Sequence, residues 1–260
     1  MRIITLTSDW GLRDHYLGAV KGTILTLIPD ARIIDITHNI TPYDIISASF
    51  VLKNAFLSFP EGTVHIVGIN TEASLQNAHI VALYKKHYFI GTDNGIFSLI
   101  FEQSADKIVE IDIHQDSDFF TFPTRDVFVK VAAHIFEKGE IDSLGNVKKS
   151  LNEKYFISPV TVNNVIKGNV LYIDSYGNVI TNISLDLFKS FTKGKHFSIN
   201  FRGSNYEIQK ISQSYNDVEQ GEKLAIFSTT GLLEIALNQG QASSLLGLHP
   251  NDNVNVVIEE

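Results

Sequence analysis

The sequence RIITLTSDWGLRDHYLG, residues 2–18, joins an apolar, β-branched segment to a polar turn near the start of the chain. Residues 2–6 predict a buried strand, because a short run of aliphatic and β-branched residues is typical of strands inside a sheet. From Tyr16 to Ile28 apolar residues recur at helical spacing, and Pro29 predicts where that helix ends. The turn therefore connects a first strand to a first helix, at the sheet edge where ligands bind in open α/β folds.

Three side chains make this turn a candidate ligand site: Asp9, Trp10 and Asp14. An indole beside a carboxylate suits a polar ligand that contains a flat ring. Asp14 has a second interpretation, since an aspartate directly before a helix is also a common N-cap residue. The sequence leaves both roles of Asp14 open.

The composition argues against several classes of function. The chain has 260 residues, of which 44% are hydrophobic and 19% charged, so it can form one large domain or two ordinary ones. A net charge of −8 argues against general nucleic-acid binding, and a chain without cysteine has no disulfides or zinc–thiolate sites. The nine histidines show no metal-ligand spacing, so we expect no metal. We also expect a cytoplasmic protein without a signal peptide or membrane span.

Strands and helices alternate through the first half of the chain. The pattern predicts a second buried strand at 32–36, a third strand at 63–67, and a pair of strands at 80–84 and 88–91 that are joined by a tight turn. It also predicts two further amphipathic helices, at 43–57 and 124–137. Such alternation is typical of a layered α/β domain with a mostly parallel sheet. We assign this domain to residues 1–150.

The pattern changes after the polar segment 139–152, which contains a Gly-Asn turn signal. Short β-rich runs then dominate, at 160–166, 169–174, 178–183, 196–201, 205–211, 223–227 and 254–258. Many short strands separated by Gly, Asn and Ser turns predict a β-barrel or a β-sandwich. We assign this second domain to residues 151–260.

Six short blocks, in the same order along the chain, resemble the S-adenosyl-L-methionine hydroxide adenosyltransferases, a family related to fluorinases and chlorinases. The blocks are TSDWG at 7–11 with Asp14 and Gly18, DITHNI at 35–40, GTDNG at 91–95, TFPTRD at 121–126, IDSYGNVITNI at 173–183 and GLLEIA at 231–236. Together they extend over nearly the whole chain.

The resemblance implies an N-terminal α/β domain, a C-terminal β-barrel and assembly into a homotrimer. In this family the ligand lies between the N-terminal domain of one subunit and the C-terminal domain of its neighbour. The implied reaction splits S-adenosyl-L-methionine into adenosine and L-methionine, with water or hydroxide attacking C5′ of the ribose. The adenosyl compound is then substrate or ligand, and no separate cofactor is expected.

The resemblance also assigns ligand contacts in both halves of the chain. Asp9 would accept hydrogen bonds from the two ribose hydroxyls, Tyr176 would stack on adenine, and Asn178 would bind the adenine edge. The further candidates are Asp14 and Asp174 for the methionine ammonium, with Trp10, Asn70, Ser228 and Glu234 as additional contacts.

Two of these assignments and one further turn have structural alternatives. Gly177-Asn178 is also a typical hairpin turn, and Glu234 could be a solvated surface residue. The polar turn 92–95 could either cap the following helix or contact the ligand.

The sequence departs from the family where water is activated. The family uses an Asp, an Arg and a His; here Asn70 stands at the Asp position and Asn77 (or Gln76) at the Arg position. Pro123 replaces the His, with Thr124 at the Gly that follows it. All three activating residues are therefore missing, and a positioned acid or base typically contributes about 10²–10⁴-fold to a rate.

Several residues could compensate in part. Asn70 could orient a water through its carboxamide oxygen, although it cannot act as a base near neutral pH. His65, His79 and Glu72 are candidate replacement bases, but the two histidines also fit predicted strands.

Three functions remain open at this point. The first is an S-adenosyl-L-methionine hydrolase with an atypical activating set, which the resemblance favours. The second is an inactive or very slow adenosyl-binding protein of the same fold. The third is a halide-using relative, because an anionic nucleophile needs no base.

Overall fold

The computed structural model describes residues 1–113, 120–201 and 206–258, with Tyr206 described for its backbone only. The chain divides into two compact units, residues Met1–Phe156 and Ile157–Glu260. Among the described residues, no helix is both long and apolar enough to cross a membrane.

The described residues of the first unit form a seven-stranded sheet with helices on both faces. Its strands are β1 Ile3–Ser8, β2 Arg32–Thr37, β3 Val64–Gly68, β4 His79–Tyr84, β5 His87–Thr92, β6 Lys107–Ile111 and β7 Gly145–Val147. Its helices are α1 His15–Leu27, α2 Ile45–Ala55, α3 Ile96–Ile100 and α4 Val129–Lys138, the last preceded by a π-helical turn at Thr124–Phe128.

The strand order is β2-β1-β3-β5-β4-β6-β7, in which the pairings among the first four strands are parallel and the rest antiparallel. Buried residues such as Ile4 and Leu6 pack with α1 and α4 on one face, while Val67 and Phe89 pack with α2 and α3 on the other. Burial of each such side chain contributes about 1.5–3 kcal/mol. This arrangement confirms the layered, parallel-rich α/β architecture.

Two details of the sheet bear on the sequence predictions. The strand at 32–36 exists as β2, but the prediction that it is buried is wrong: Ile34 is 39% exposed, because β2 pairs only with β1 at the sheet edge. The predicted pair of strands is present as β4 and β5. Their turn places Lys85 and Lys86 at φ of 48° and 62°, as a tight hairpin with right-handed strand twist requires.

The described residues of the second unit form nine short strands. They are β8 Val160–Val162, β9 Val165–Ile173, β10 Val179–Ser184, β11 Phe197–Phe201, β12 Tyr206–Ile208, β13 Ile211–Ser212, β14 Lys223–Phe227, β15 Leu232–Leu237 and β16 Asn253–Ile258. Two short helices accompany them, α5 Leu185–Thr192 and α6 Ala242–Leu246.

The sheet follows the path β12-β11-β16-β9-β10-β15-β14-β13, and β8 pairs with β9. Because β12 contacts β14, the two ends of this path approach each other and the sheet nearly closes into a barrel. The barrel prediction is therefore confirmed. The strand predictions omitted β15, in which Glu234 interrupts an otherwise apolar run.

Candidate functional site

The first unit has a cavity of about 540 Å³ beyond the carboxyl ends of β1 and β3. Four of the sequence-predicted site residues line it: Asp9, Trp10, Asp14 and Asn70. The other described residues of the wall are Tyr16, Pro42, Tyr43, Gly68, Thr71, Glu72, Phe120, Thr121 and Phe122. The turn that follows β1 is thus part of a real concavity at the sheet edge expected for ligands.

Asp9 is partly committed to the protein. Its Oδ2 accepts a hydrogen bond from the backbone N–H of Tyr43 at 2.9 Å, and Tyr43 adopts a left-handed backbone conformation with φ of 67°. Its Oδ1 has no hydrogen-bond partner among the described residues. The carboxylate is therefore fixed in place and still has acceptor capacity for a ligand.

Trp10 forms one wall of the cavity through close packing. Its ring lies edge-on to Phe122 at 5.6 Å between centroids and nearly parallel to the His38 ring at 6.4 Å. Gly68 leaves the space that the indole occupies, because a Cβ added there would lie 2.3 Å from Trp10 Cζ2. The position of the indole therefore depends on glycine at 68.

A polar chain that runs from the buried Ser8 and His38 to the exposed Asp35 supports the same turn. Ser8 Oγ and His38 Nδ1 are 2.7 Å apart, and His38 Nε2 lies 3.1 Å from Asp35 Oδ1. Lys21 Nζ donates to the other oxygen of Asp35 at 2.6 Å. Burial opposes ionisation of Asp35, but hydrogen bonds and charge from Lys21 and His38 outweigh it and lower its pKa. The DITHNI block therefore positions the site rather than lining it.

Asp14 stands at the N-cap position of α1 without making a side-chain capping hydrogen bond. The capping interpretation is thus not realised as a hydrogen bond. A carboxylate at a helix N-terminus is still favoured by the helix dipole. Because the side chain also lines the cavity, Asp14 remains available to a ligand.

Of the three positions of the altered activating set, only Asn70 lines the cavity. Asn70 lines the cavity with a left-handed φ of 47°. Asn77 is not part of the cavity wall; its Oδ1 lies 3.3 Å from Asn152 Nδ2. Pro123 is buried directly before the π-helical turn and is not part of the cavity wall, whereas the preceding Phe120, Thr121 and Phe122 are.

The GTDNG block has a structural role in this unit. Asp93 is fully buried, pairs with Lys148 and accepts the backbone N–H of Asn152 at 3.0 Å. Asn94 Nδ2 donates to the backbone oxygens of Ile69 and Asn70 at 3.1 and 3.3 Å, and Asn94 Oδ1 accepts from the first turn of α3. This block therefore fixes the loop that carries Asn70 and also caps the next helix.

Two of the three candidate replacement bases lie outside the cavity wall. His65 is buried between Thr5 and His87, with Nδ1 2.7 Å from Thr5 Oγ1 and Nε2 3.2 Å from His87 Nδ1. Burial, aided by His87, lowers the pKa of His65 to about 3. His79 Nε2 is bonded to the Thr71 carbonyl at 2.8 Å, and burial lowers its pKa despite that bond. Of the three candidate replacement bases, only Glu72 lines the cavity.

The second unit has its own cavity, also of about 540 Å³. It is lined by Asp174, Ser175, Tyr176, Asn178, Tyr215, Leu237, Gln239, Gly240 and Gln241. The sequence blocks identified Asp174, Tyr176 and Asn178 as candidates but not Tyr215, Gln239 or Gln241.

The turn between β9 and β10 is both a structural turn and part of this cavity. Asp174 Oδ1 accepts the backbone N–H groups of Tyr176 and Asn178 at 2.9 and 2.8 Å, and its Oδ2 accepts from Asn178 Nδ2 at 3.0 Å. Gly177 is left-handed at φ of 79°, and an added Cβ would lie 2.9 Å from Gln241 Cβ. The Tyr176 side chain is 76% exposed, so its ring is accessible for stacking.

Glu234 lies behind this cavity rather than in its wall. It is only 3% exposed, so the solvated interpretation is wrong. Tyr215 Oη donates to its Oε1 at 2.7 Å, and Ser228 also bonds to it. Burial and the charge of Asp174 raise the pKa of Glu234, while the bonds from Tyr215 and Ser228 oppose that shift. Ser228 also contacts Thr230, with the two hydroxyl oxygens 2.9 Å apart.

Known proteins match both units. The family model of the SAM hydroxide adenosyltransferase N-terminal domain matches residues 4–145, and that of the C-terminal domain matches residues 168–255. The chain is 33% identical to the (R)-S-adenosyl-L-methionine hydrolase of Methanocaldococcus jannaschii, over 98% of this chain and 95% of that protein. It is 24% identical to the fluorinase of Nocardia brasiliensis, over 98% and 97% of the two chains.

A solved structure agrees with these matches. The crystal structure of a protein from Thermotoga maritima, described as uncharacterized and conserved, superposes with a TM-score of 0.88 at 33% identity. The comparison covers 98% of this chain and 99% of the other. With both family domains matched in order, the chain belongs to the SAM hydroxide adenosyltransferase family.

Proposed function

We propose that this protein hydrolyses S-adenosyl-L-methionine to adenosine and L-methionine. The observation that carries the proposal is the cavity beside β1, where the fixed carboxylate of Asp9 lies next to the Trp10 indole. A carboxylate with free acceptor capacity suits the two ribose hydroxyls. Membership of the family and the activity named for the Methanocaldococcus jannaschii relative support the same reaction.

The chemistry tolerates a weak activating set. Water attacks C5′ of the ribose in line with sulfur, and the electron pair of the C5′–S bond passes to sulfur. The leaving group departs as a neutral thioether and needs no proton. Holding the water and the substrate in line contributes to the rate independently of a base, so turnover survives the replacements at Asn70, Asn77 and Pro123.

The charge of the cavity supports a cationic substrate and a neutral nucleophile. Its described lining contains three carboxylates, those of Asp9, Asp14 and Glu72, and no lysine, arginine or histidine. Such a wall attracts a sulfonium cation and repels a halide ion. This observation favours hydrolysis over the halide-using alternative.

A second candidate function is adenosyl binding without turnover. The observation in its favour concerns the three positions of the activating set. Asn70 lines the cavity but has a carboxamide where the family has a carboxylate, and Asn77 and Pro123 do not line the cavity. On this alternative the ligand contacts are retained and the chemical step is lost.

One assay separates these functions. Purified protein is incubated with S-adenosyl-L-methionine, and adenosine and methionine are followed by chromatography against a protein-free control. We expect both products in equal amounts. Calorimetric binding without adenosine would establish the binding protein instead, and absence of both binding and turnover would refute the adenosyl site.

We further propose a homotrimer in which the ligand lies between the N-terminal unit of one subunit and the C-terminal unit of its neighbour. The family resemblance supports this assembly, and each unit has a cavity of its own with candidate ligand contacts. Asp174, Tyr176 and Asn178 would supply the ammonium and adenine contacts. The proposed reaction involves no cofactor, metal, nucleic acid or membrane, and the cysteine-free chain is compatible with the cytoplasm. Sedimentation at equilibrium measures the assembly directly.

A further inference from the structure

The loop after β3 brings Asn70 and Glu72 to the same cavity wall. Bonds to the backbone hold this loop on both sides of Glu72. Before it, the Asn70 oxygen is bound by Asn94 and the Thr71 oxygen by His79. After it, Ser74 and Asn77 exchange backbone hydrogen bonds at 3.0 and 3.2 Å. Glu72 therefore has a defined place beside Asn70, although its side chain is exposed.

The other carboxylates of this cavity have different tasks. Asp9 accepts the Tyr43 N–H and faces the proposed ribose position. Asp14 stands at the N-terminus of α1 and is the proposed partner of the methionine ammonium. Among the lining residues that the structure describes, Glu72 is the one carboxylate that the ligand assignments leave unused.

We propose that Glu72 is the general base of the reaction, an inference that rests on the proposed hydrolysis. The water oxygen forms a bond to ribose C5′ while the C5′–S bond breaks and its electron pair remains on sulfur. The proton lost by the water passes to the Glu72 carboxylate, giving the neutral acid. Asn70 orients the same water through its carboxamide oxygen. The proton is later returned to solvent, because Glu72 is exposed.

The role is tested by variants that separate proton transfer from binding. Glu72→Gln retains the shape of the side chain but cannot accept the proton, so we expect kcat to fall about 10²–10⁴-fold with KM nearly unchanged. Glu72→Asp keeps the carboxylate on a shorter side chain and should retain more activity than Glu72→Gln. The matched control is Glu137→Gln, which removes an equivalent charge from the exposed surface of α4; it should retain the parent kcat.

Chemical rescue gives a readout that a structural role would not produce. In Glu72→Ala, added formate supplies a carboxylate to the space left by the side chain, and we expect it to raise kcat at least tenfold. Formate should not accelerate the parent or Glu137→Gln.

The outcomes are distinguishable. A Glu72→Gln protein with the kcat of the active parent would overturn the role of Glu72 and leave the hydrolase assignment intact. A loss of kcat that neither Asp nor formate restores would overturn it as well. If the parent itself releases no adenosine, the proposed function fails, and the inference about Glu72 fails with it.

Discussion

The indole of Trp10 occupies the space that a side chain at Gly68 would need, since an added Cβ would lie 2.3 Å from Trp10 Cζ2. We therefore expect Gly68→Ala to displace the indole from the cavity wall and weaken adenosyl binding at least tenfold. Trp10 is the only tryptophan, so its fluorescence reports the displacement without a label. Calorimetry with S-adenosyl-L-methionine measures the loss of affinity.

Gly22→Ala is the control for this substitution. Gly22 lies on the exposed side of α1, and an added Cβ would have no described neighbour within 4 Å beyond the adjacent residues and the backbone of the helix itself. Alanine should leave the Trp10 spectrum unchanged and stabilise the helix by about 0.5–1 kcal/mol. Equal binding by Gly68→Ala and Gly22→Ala would show that the indole does not contribute to the ligand site.

Asp9→Ala should remove the acceptor proposed for the ribose hydroxyls. The variant also leaves the backbone N–H of Tyr43 without its carboxylate partner. A hydrogen bond to a charged group contributes about 1.5–3 kcal/mol, so we expect affinity to fall about 10–100-fold. Asp9→Asn retains one oxygen acceptor and should lie between the parent and Asp9→Ala. Titration with S-adenosyl-L-methionine, followed by Trp10 fluorescence, checks this order of affinities. An affinity like that of the parent in Asp9→Ala would show that the ribose does not bind at Asp9.

Tyr215→Phe should destabilise the second unit through Glu234. The phenol donates to Glu234 Oε1 at 2.7 Å, and its removal leaves a buried carboxyl with one partner fewer. Loss of a buried partner costs about 1–3 kcal/mol. Because the lost bond had lowered the pKa of Glu234, that pKa should rise further above its ordinary value. Urea unfolding measures the stability, with the exposed Tyr176→Phe as control; equal midpoints would contradict the argument.

The local sequence pattern is sufficient to predict the strand and turn that carry Asp9, but not the position of every strand in the sheet. Ile4 and Leu6 alternate toward one core, so the strand and the turn that carries Asp9 could be predicted from neighbouring residues. The exposure of β2 could not, because its apolar residues also suit an interior strand and only the strand order places it at an edge.

The sequence patterns do not predict contacts between residues that lie far apart along the chain. Tyr215 meets Glu234 across 19 positions of sequence, and no local signal indicates that pairing. The sequence patterns also do not predict the strand that carries Glu234, since a carboxylate in an apolar run does not suggest burial. The family motifs indicate Asp174 and Asn178 as separate ligand contacts, whereas the structure shows that the two side chains also bond to each other within one turn.

The buried His65 should make the first unit sensitive to acid. Its pKa is about 3 in the folded protein, against about 6.5 for an exposed histidine. The unfolded chain therefore binds more protons between these values, so stability is complete above pH 6.5 and is lost as pH falls toward 3. Within that window the loss is about 1.4 kcal/mol per pH unit from this residue.

His65→Gln, which cannot take up the proton, should be less stable than the parent at pH 7 but should lose less stability on acidification. Urea midpoints at pH 7, 5.5 and 4 measure the difference, and the exposed His196→Gln should follow the parent. Parallel acid profiles for the parent and His65→Gln would show that His65 is not the residue that confers the sensitivity.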